Sequence, residues 1–536
     1  MRATPFRLPV AHRHSALRGR CLAALTLLLC VATLSGCQLP PLAPRTQSAA
    51  LDTQEALATP LGAAVAPELA EHRELTGIDP LPDPLEAFAA RMALVRHAQR
   101  TLDVQYYIWR DDLTGTLLLE ALHEAADRGV RVRLLLDDNG IPSSLDPTLA
   151  ALDAHPNVEV RLFNPFAVRR PKHISFLWDF ARLNRRMHNK SLTADGIATI
   201  LGGRNIGDEY FGATDGVVFA DLDVLAVGPA ATDVAHDFDR YWASASAWPA
   251  SQLLKPAPPD ALDLLDRAAQ AVEANPAAAD YVAALRKTTD VRRLLDGALQ
   301  FEWAKTRLVS DDPAKAQGKA APNSLVIAQL HAILGNPQHA LDLVSPYFVP
   351  GEAGTRYFTD LAAHGVDVRV LTNSLEATDV AAVHSGYARR RKALLEGGVR
   401  LFELRSAAAM NTDEAGKTAG GSGFGSSGSS LHAKTFSVDG QRVFVGSLNF
   451  DPRSLRLNTE LGLMIESPVL AERIDTLFHT QMPQLAYEAK LDADGSLYWL
   501  KRSGDTVTRY DTEPNTPWSA RLGVWFFSIL PIEWLL

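Results

Sequence analysis

Apolar residues along the chain fall into runs of two kinds. Leu102–Trp109 and Val130–Asp137 are short and largely apolar, as strands covered on both faces are. Between them, Leu117–Ala126 spaces its leucines and alanines as a helix does, and Glu86–Val95 has the same character, so order is predicted to begin at Leu85. Strand–helix–strand order implies an α/β sandwich with a sheet at its centre. From Gln38 to Pro84 the chain is rich in Ala, Pro and Leu without sustained periodicity, and residues 37–84 read as a flexible tether.

The pattern occurs twice. Leu102-Asp103-Val104 leads into Tyr106-Tyr107-Ile108, and Leu341-Asp342-Leu343 leads into Pro346-Tyr347-Phe348. Gly129–Leu135 is echoed by Gly365–Leu371, and Arg161-Leu162-Phe163 by Arg400-Leu401-Phe402, at offsets of 239, 236 and 239 residues. So long a period excludes a solenoid and implies two copies of one domain, at 85–250 and 323–490. Residues 251–322 read as a helical connector, 418–430 as a Gly/Ser loop that is a surface insertion or a flap, and 491–536 as a C-terminal extension.

The N-terminus carries Arg2, Arg7, Arg13, Arg18 and Arg20, then an apolar run from Cys21 to Leu34. This is the plan of a secretory signal, residues 1–36, and the run is too short for a comfortable membrane span. Leu34-Ser35-Gly36-Cys37 resembles a bacterial lipobox, which implies cleavage before Cys37 and a lipid anchor on it. Gln38 in place of Asp favours the outer over the inner membrane, with the mature chain facing the periplasm. The 536 residues carry a formal charge of −9, and loss of the five arginines takes it to −14. With 3 Cys, two of them in the signal, a disulfide scaffold is excluded, and the acidic balance argues against a nucleic-acid partner.

Chemistry is concentrated in a duplicated motif. His188-Asn189-Lys190 is followed by Asp195 and Gly202-Gly203-Arg204-Asn205; His432-Ala433-Lys434 by Asp439 and Gly446-Ser447-Leu448-Asn449. Internal spacings are identical. Residues two apart on a strand share a face, so each His projects with its Lys. Asp195-Gly196 and Asp439-Gly440 suit two-residue hairpin turns, which makes both aspartates turn residues and sets Gly203 opposite His188 and Ser447 opposite His432. Those small residues would leave a phosphate pocket beside each imidazole. Two such units facing across a pseudo-two-fold axis suit phosphodiester chemistry, one imidazole attacking phosphorus and the other moving the proton. Lys190, Lys434, Asn205 and Asn449 would stabilise the phosphoryl oxygens. No metal or cofactor is called for.

The paired motifs resemble the HKD signatures of the phospholipase D superfamily, over about residues 85–536. The resemblance implies two tandem phospholipase D-like α/β/α sandwich domains with the active site between them. It also implies a downstream carboxylate orienting each histidine: Glu460 in the second half and Asp221 in the first, with Asp223 its rival. Family precedent makes His188 the nucleophile and His432 the acid/base. Val104–Trp109, Gly202–Phe211, Asp312–Lys315, Ser345–Gly351 and the C-terminal Arg521–Leu536 are similar to bacterial cardiolipin synthases of the type C branch. That resemblance implies phosphatidyl transfer between phospholipids. A monomer is expected to suffice, held on the membrane through Cys37; the C-terminal segment is apolar enough to be interfacial, its alternative being a helix packed on the domain. The alternatives are hydrolysis to phosphatidic acid, a secreted phosphodiesterase or nuclease, and a non-catalytic lipid-binding lipoprotein.

Overall fold

The computed structural model describes residues 38–214, 218–276, 278–287, 299–378, 380–406 and 429–536. The signal, Cys37 and all but the last two residues of the Gly/Ser loop lie outside them. The first half contains β1 (Thr76–Leu81), β2 (Thr101–Ile108), β3 (Arg131–Gly140), β4 (Val158–Phe163), β5 (Ser191–Ala194), β6 (Ala198–Gly202), β7 (Val218–Ala220), β8 (Asp223–Val227) and β9 (Ala247–Pro249). After β10 (Glu302–Ser310), the second contains β11 (Ala340–Val344), β12 (Asp367–Asn373), β13 (Arg400–Leu404), β14 (Ser429–Leu431), β15 (Thr435–Val438), β16 (Arg442–Gly446) and β17 (Leu461–Glu466). It ends in a meander of β18 (Ala486–Leu491), β19 (Leu497–Ser503) and β20 (Thr506–Tyr510).

Both halves share one sheet plan. β2, β3 and β4 run parallel, and β5, β6 and β8 continue antiparallel from the β2 edge. β11, β12 and β13, then β15, β16 and β17, repeat it. Parallel neighbours need crossovers, supplied by helices such as Leu113–Asp127 and Gly351–Ala363. Helices cover the sheet, which is why β2 is buried from Thr101 to Tyr106 and reads as an apolar run. The duplicated α/β sandwich is therefore present.

One expectation fails at the join. The presumed tether forms helices Thr53–Leu57 and Pro60–Glu71 and strand β1. Asp52 closes a capping box with Glu55, and Thr59 caps the second helix ahead of Pro60. Leu51, Ala56, Leu61 and Val65 are buried in the first domain's core. Upstream, Thr46, Ser48 and Ala49 offer carbonyls to Arg161, Arg133 and Arg131, which strap the extended chain to the domain. The apolar residues of 38–84 follow no sustained period, and caps and straps, which periodicity does not register, place the segment on the domain.

β1 pairs antiparallel with β8 and with β10, and β10 pairs with β17, so the two sheets are continuous. The connector thus contains a strand as well as the helices Ala261–Glu273 and Ala279–Lys287. β1 stands to the first half as β10 does to the second. Leu201, Val224 and Ala226 pack there against Val443, Val445, Leu461 and Leu463 in a core shared by both halves.

A tether would tolerate truncation of Leu61; this packing does not. Leu61→Ala is expected to cost about 2–4 kcal/mol, as fully buried leucines do, read as a lowered midpoint in thermal or urea unfolding.

Candidate active site

The hairpins that carry the motifs fix where each histidine can point. Asp195 and Gly196 both have positive φ (51° and 66°), as do Asp439 and Gly440 (54° and 62°). Ile197 N donates to Ala194 O, but the ladder partner of Ala194 is Ala198, so the loop holds three residues. Val438 likewise pairs with Arg442. This shifts the register by one, and Gly203 and Ser447 do not stand opposite the imidazoles. The Asp195 carboxylate accepts from the backbone N–H groups of Gln99, Arg100 and Thr101, and Asp439 from Gln338, His339 and Ala340. Each aspartate holds the start of its domain's first parallel strand.

Upstream, the motif is anchored by a second equivalent pair. Asp137 accepts from Met187 N, and Asn373 from Leu431 N, the residues just before the two histidines. The first half adds an ion pair, Arg186 to Asp137. Extending the Gly129–Leu135 repeat by two residues would have found these positions.

Each imidazole is then fixed by a carboxylate from the other half. His188 Nδ1 lies 2.9 Å from Glu460 Oε2, and His432 Nδ1 lies 2.6 Å from Asp221 Oδ2. This corrects the within-half pairing, and the backbone explains why. His188 N donates to Thr459 O and Thr459 N to Arg186 O, each at 2.9 Å. On the opposite side β14 runs parallel to β7, and His432 N donates to Ala220 O at 2.8 Å. Each histidine thus reaches the carboxylate one residue beyond its backbone acceptor, across the interface. Asp223, the rival of Asp221, is bound instead by Arg91 and Arg204.

Gly203 and Ser447 seat the carboxylates instead of a phosphate. A Cβ on Gly203 would stand 2.1 Å from Asp221 Oδ1. Ser447 Oγ donates to Glu460 Oε2 at 2.5 Å, and its carbonyl lies 3.2 Å from His188 Nδ1. The two asparagines also differ. Asn205 is engaged, its Oδ1 accepting from Ile108 N and its Nδ2 donating to Tyr210 Oη. Asn449 is buried, and its Oδ1 has no hydrogen-bond partner among the described residues. Lys190 Nζ donates to His188 O at 2.5 Å, and Lys434 Nζ stands 3.0 Å from His432 Nε2. Rings that motif reading missed complete the walls: Tyr107 meets His188 edge-on, and Tyr210 and Phe219 flank His432.

Electrostatics set the protonation states. Burial, then Lys190 and Lys434, outweigh Glu460 and hold His188 down at about 4; burial and Lys434 hold His432 at about 3 despite Asp221. Burial raises a carboxylate, but His188 and Lys190 overcome it at Glu460, and His432 and Lys434 at Asp221, so both acids stay ionised. A neutral ring beside an ionised acid donates through Nδ1–H, which leaves the Nε2 lone pair for chemistry. Burial pushes Lys190 down to about 7. Two neutral imidazoles, the Nε2 of His432 facing Lys434, stand with two lysines in one buried cluster.

Comparisons agree with this geometry. The family model described as cardiolipin synthase, PLD-like domain, matches residues 92–242 and 330–482. Cardiolipin synthase C of Escherichia coli (strain K12) is 48% identical over 477 residues, covering 89% of this chain and 99% of that protein. An uncharacterized protein of Helicobacter pylori (strain ATCC 700392 / 26695) is 32% identical over 424 residues, 78% of this chain and 81% of that one. Among solved structures, phosphatidylserine synthase of Haemophilus influenzae Rd KW20 shares the fold, with a TM-score of 0.55 at 14% identity, covering 88% of this chain and all of that one.

Two outcomes follow. Lys190 is charged below and neutral above about pH 7, so kcat/KM on a phosphodiester should fall as pH rises through that value. Lys190→Arg, always charged, should remove this alkaline limb. Glu460→Gln and Asp221→Asn should each slow turnover by roughly 10²–10⁴-fold, as loss of a histidine-orienting carboxylate does. The loss is read in kcat/KM, and the NMR shift of the imidazole Nδ1–H tells which ring each acid holds: Glu460→Gln should move that of His188 and Asp221→Asn that of His432.

Proposed function

The chain belongs to the cardiolipin synthase family of phospholipase D-like phosphatidyltransferases, and on that premise we propose a two-histidine transfer run by the crossed pairs. His188 Nε2 attacks the phosphorus of a donor phospholipid while His432, protonated at Nε2 from solvent once the anion is bound, delivers that proton to the leaving headgroup alcohol, giving a phosphatidyl-histidine. His432, again neutral, takes the proton of the glycerol hydroxyl of phosphatidylglycerol. That oxygen attacks phosphorus, His188 leaves, and cardiolipin is formed. The bound phosphodiester anion offsets the two lysines and brings His432 toward the range where it can carry that proton. Lys190, Lys434 and the amide of Asn449 stabilise the non-bridging oxygens. Phosphatidylethanolamine is the donor favoured by the type C similarity.

The observation that carries this reading is the matched orientation of both imidazoles by buried carboxylates. A lipid-binding role would not require two rings each oriented through Nδ1 by a buried acid. Both motifs lie in one chain, which supports a monomer as the working unit. Among the described residues no helix is long and apolar enough to cross a membrane. The lipobox-like Leu34–Cys37 supports attachment through an acylated Cys37 in the bacterial envelope, facing the periplasm, with Gln38 favouring the outer membrane.

Purified protein incubated with phosphatidylglycerol and phosphatidylethanolamine should yield cardiolipin by mass spectrometry. Phosphatidic acid alone would make it a hydrolase. His188→Ala and His432→Ala should each abolish exchange. Retained turnover in His432→Ala would overturn the two-histidine mechanism.

A further inference from the structure

We propose that the segment 171–183 of the first domain is a bilayer-inserting wedge, forming with the C-terminal helix one docking platform beside the active site. The proposal rests on the phospholipid chemistry above and adds where the lipid surface sits. The helix Phe176–Leu183 and the turn before it expose Ile174, Leu177, Trp178 and Phe180, with Leu177 83% exposed. The helix Trp518–Ile529 packs on Ala381–Glu396 yet exposes Trp518, Leu522, Trp525, Phe526 and Ile529, which share one helical face. Apolar faces of this size on a folded chain mark an interaction surface, and tryptophan at the rim suits the headgroup layer.

The two faces are tied together. Arg453 donates through Nη1 to Asn184 Oδ1 and through Nη2 to Asn184 O, at the end of the wedge helix. Its backbone N donates to the carbonyl of Leu536, the last residue of the C-terminal segment. One residue thus pins both elements to the helix Pro452–Arg456, which leads straight into Thr459 and Glu460. On the other side the wedge runs from Leu183 directly into Arg186 and His188.

Charge favours a bilayer over a second copy of the chain. Arg170 and His173 are exposed and Arg185 is half-buried at the flanks of the wedge; among the described residues neither arginine pairs with a carboxylate. Cations flanking an apolar face are the arrangement that holds an interfacial segment on anionic lipid. A groove lined in part by Arg110, Arg170 and His173 leads to Tyr107, whose ring centroid is 5.1 Å from that of His188. A headgroup entering beside the wedge therefore has a basic path to the histidine.

The test uses the full chain with vesicles of phosphatidylglycerol and phosphatidylethanolamine. Hydrogen exchange should slow in peptides covering 172–183 and 518–529 when vesicles are added. The double variant Leu177→Asp, Trp178→Ser should lose about tenfold or more in vesicle turnover while keeping its unfolding midpoint and its turnover of dispersed short-chain phosphatidylglycerol. Unchanged exchange, or unchanged vesicle turnover in the variant, would overturn the proposal. So would a wild-type dimer that Leu177→Asp splits with vesicle turnover intact. Failure of the catalytic reading would instead appear as no turnover of dispersed lipid by the wild-type chain.

Discussion

The whole arrangement depends on two hydrogen bonds that cross between domains, His188 to Glu460 and His432 to Asp221. All four groups are buried, and an ionised carboxylate taken from water without a partner is strongly destabilising. Each half satisfies its acid only in part, through Ser447 on Glu460 and Leu222 N on Asp221, and the imidazole that completes it belongs to the other. Docking of the halves and assembly of the site are therefore one event. The continuous sheet through β8, β1, β10 and β17 supplies the rigid frame. It holds the register in which Thr459 and Ala220 receive the backbone of the two histidines.

The crossed acids also explain residues that a phosphate pocket does not. Asp221 is one methylene shorter than Glu460, so its chain must come close to the strand beside it, and only Gly203 admits it. Glu460 reaches from farther away, which leaves room for Ser447 and a hydroxyl that donates to the carboxylate. Gly with Asp and Ser with Glu are two solutions to one spacing problem. The same divergence marks the asparagines, Asn205 being built into the wall through Tyr210 while Asn449 keeps an unpartnered oxygen. A duplicated scaffold has thus become unequal at the residues that surround its two histidines.

Much of this was legible in the chain. Identical motif spacings located both histidines and lysines, and the long-period repeat located both sandwiches. The crossing was not legible, because a two-fold axis makes a carboxylate in one half equally available to either histidine, and linear spacing carries no sign of that exchange. The hairpin register was missed by one residue because Asp-Gly with positive φ also begins a three-residue loop. β1 was missed for a different reason. Its apolar positions are few, Ile78 and Leu81 among them, and it is a strand only because β8 and β10 flank it. Tertiary pairing decides such segments, and periodicity within them cannot.

An acidic chain acting on anionic lipids needs its attraction to be local. The net charge of −9 belongs mostly to exposed groups, whose fields are screened beyond roughly 8–10 Å at physiological ionic strength. Lys190 and Lys434 are almost wholly buried, so their field is screened far less and is concentrated on the cavity. Burial lowers the proton affinity of Lys190 and of both imidazoles, which keeps both rings unprotonated at neutral pH without a separate base. A phosphodiester anion in that cavity would stabilise both ammonium groups, so the attraction that the net charge denies is supplied where the histidines stand.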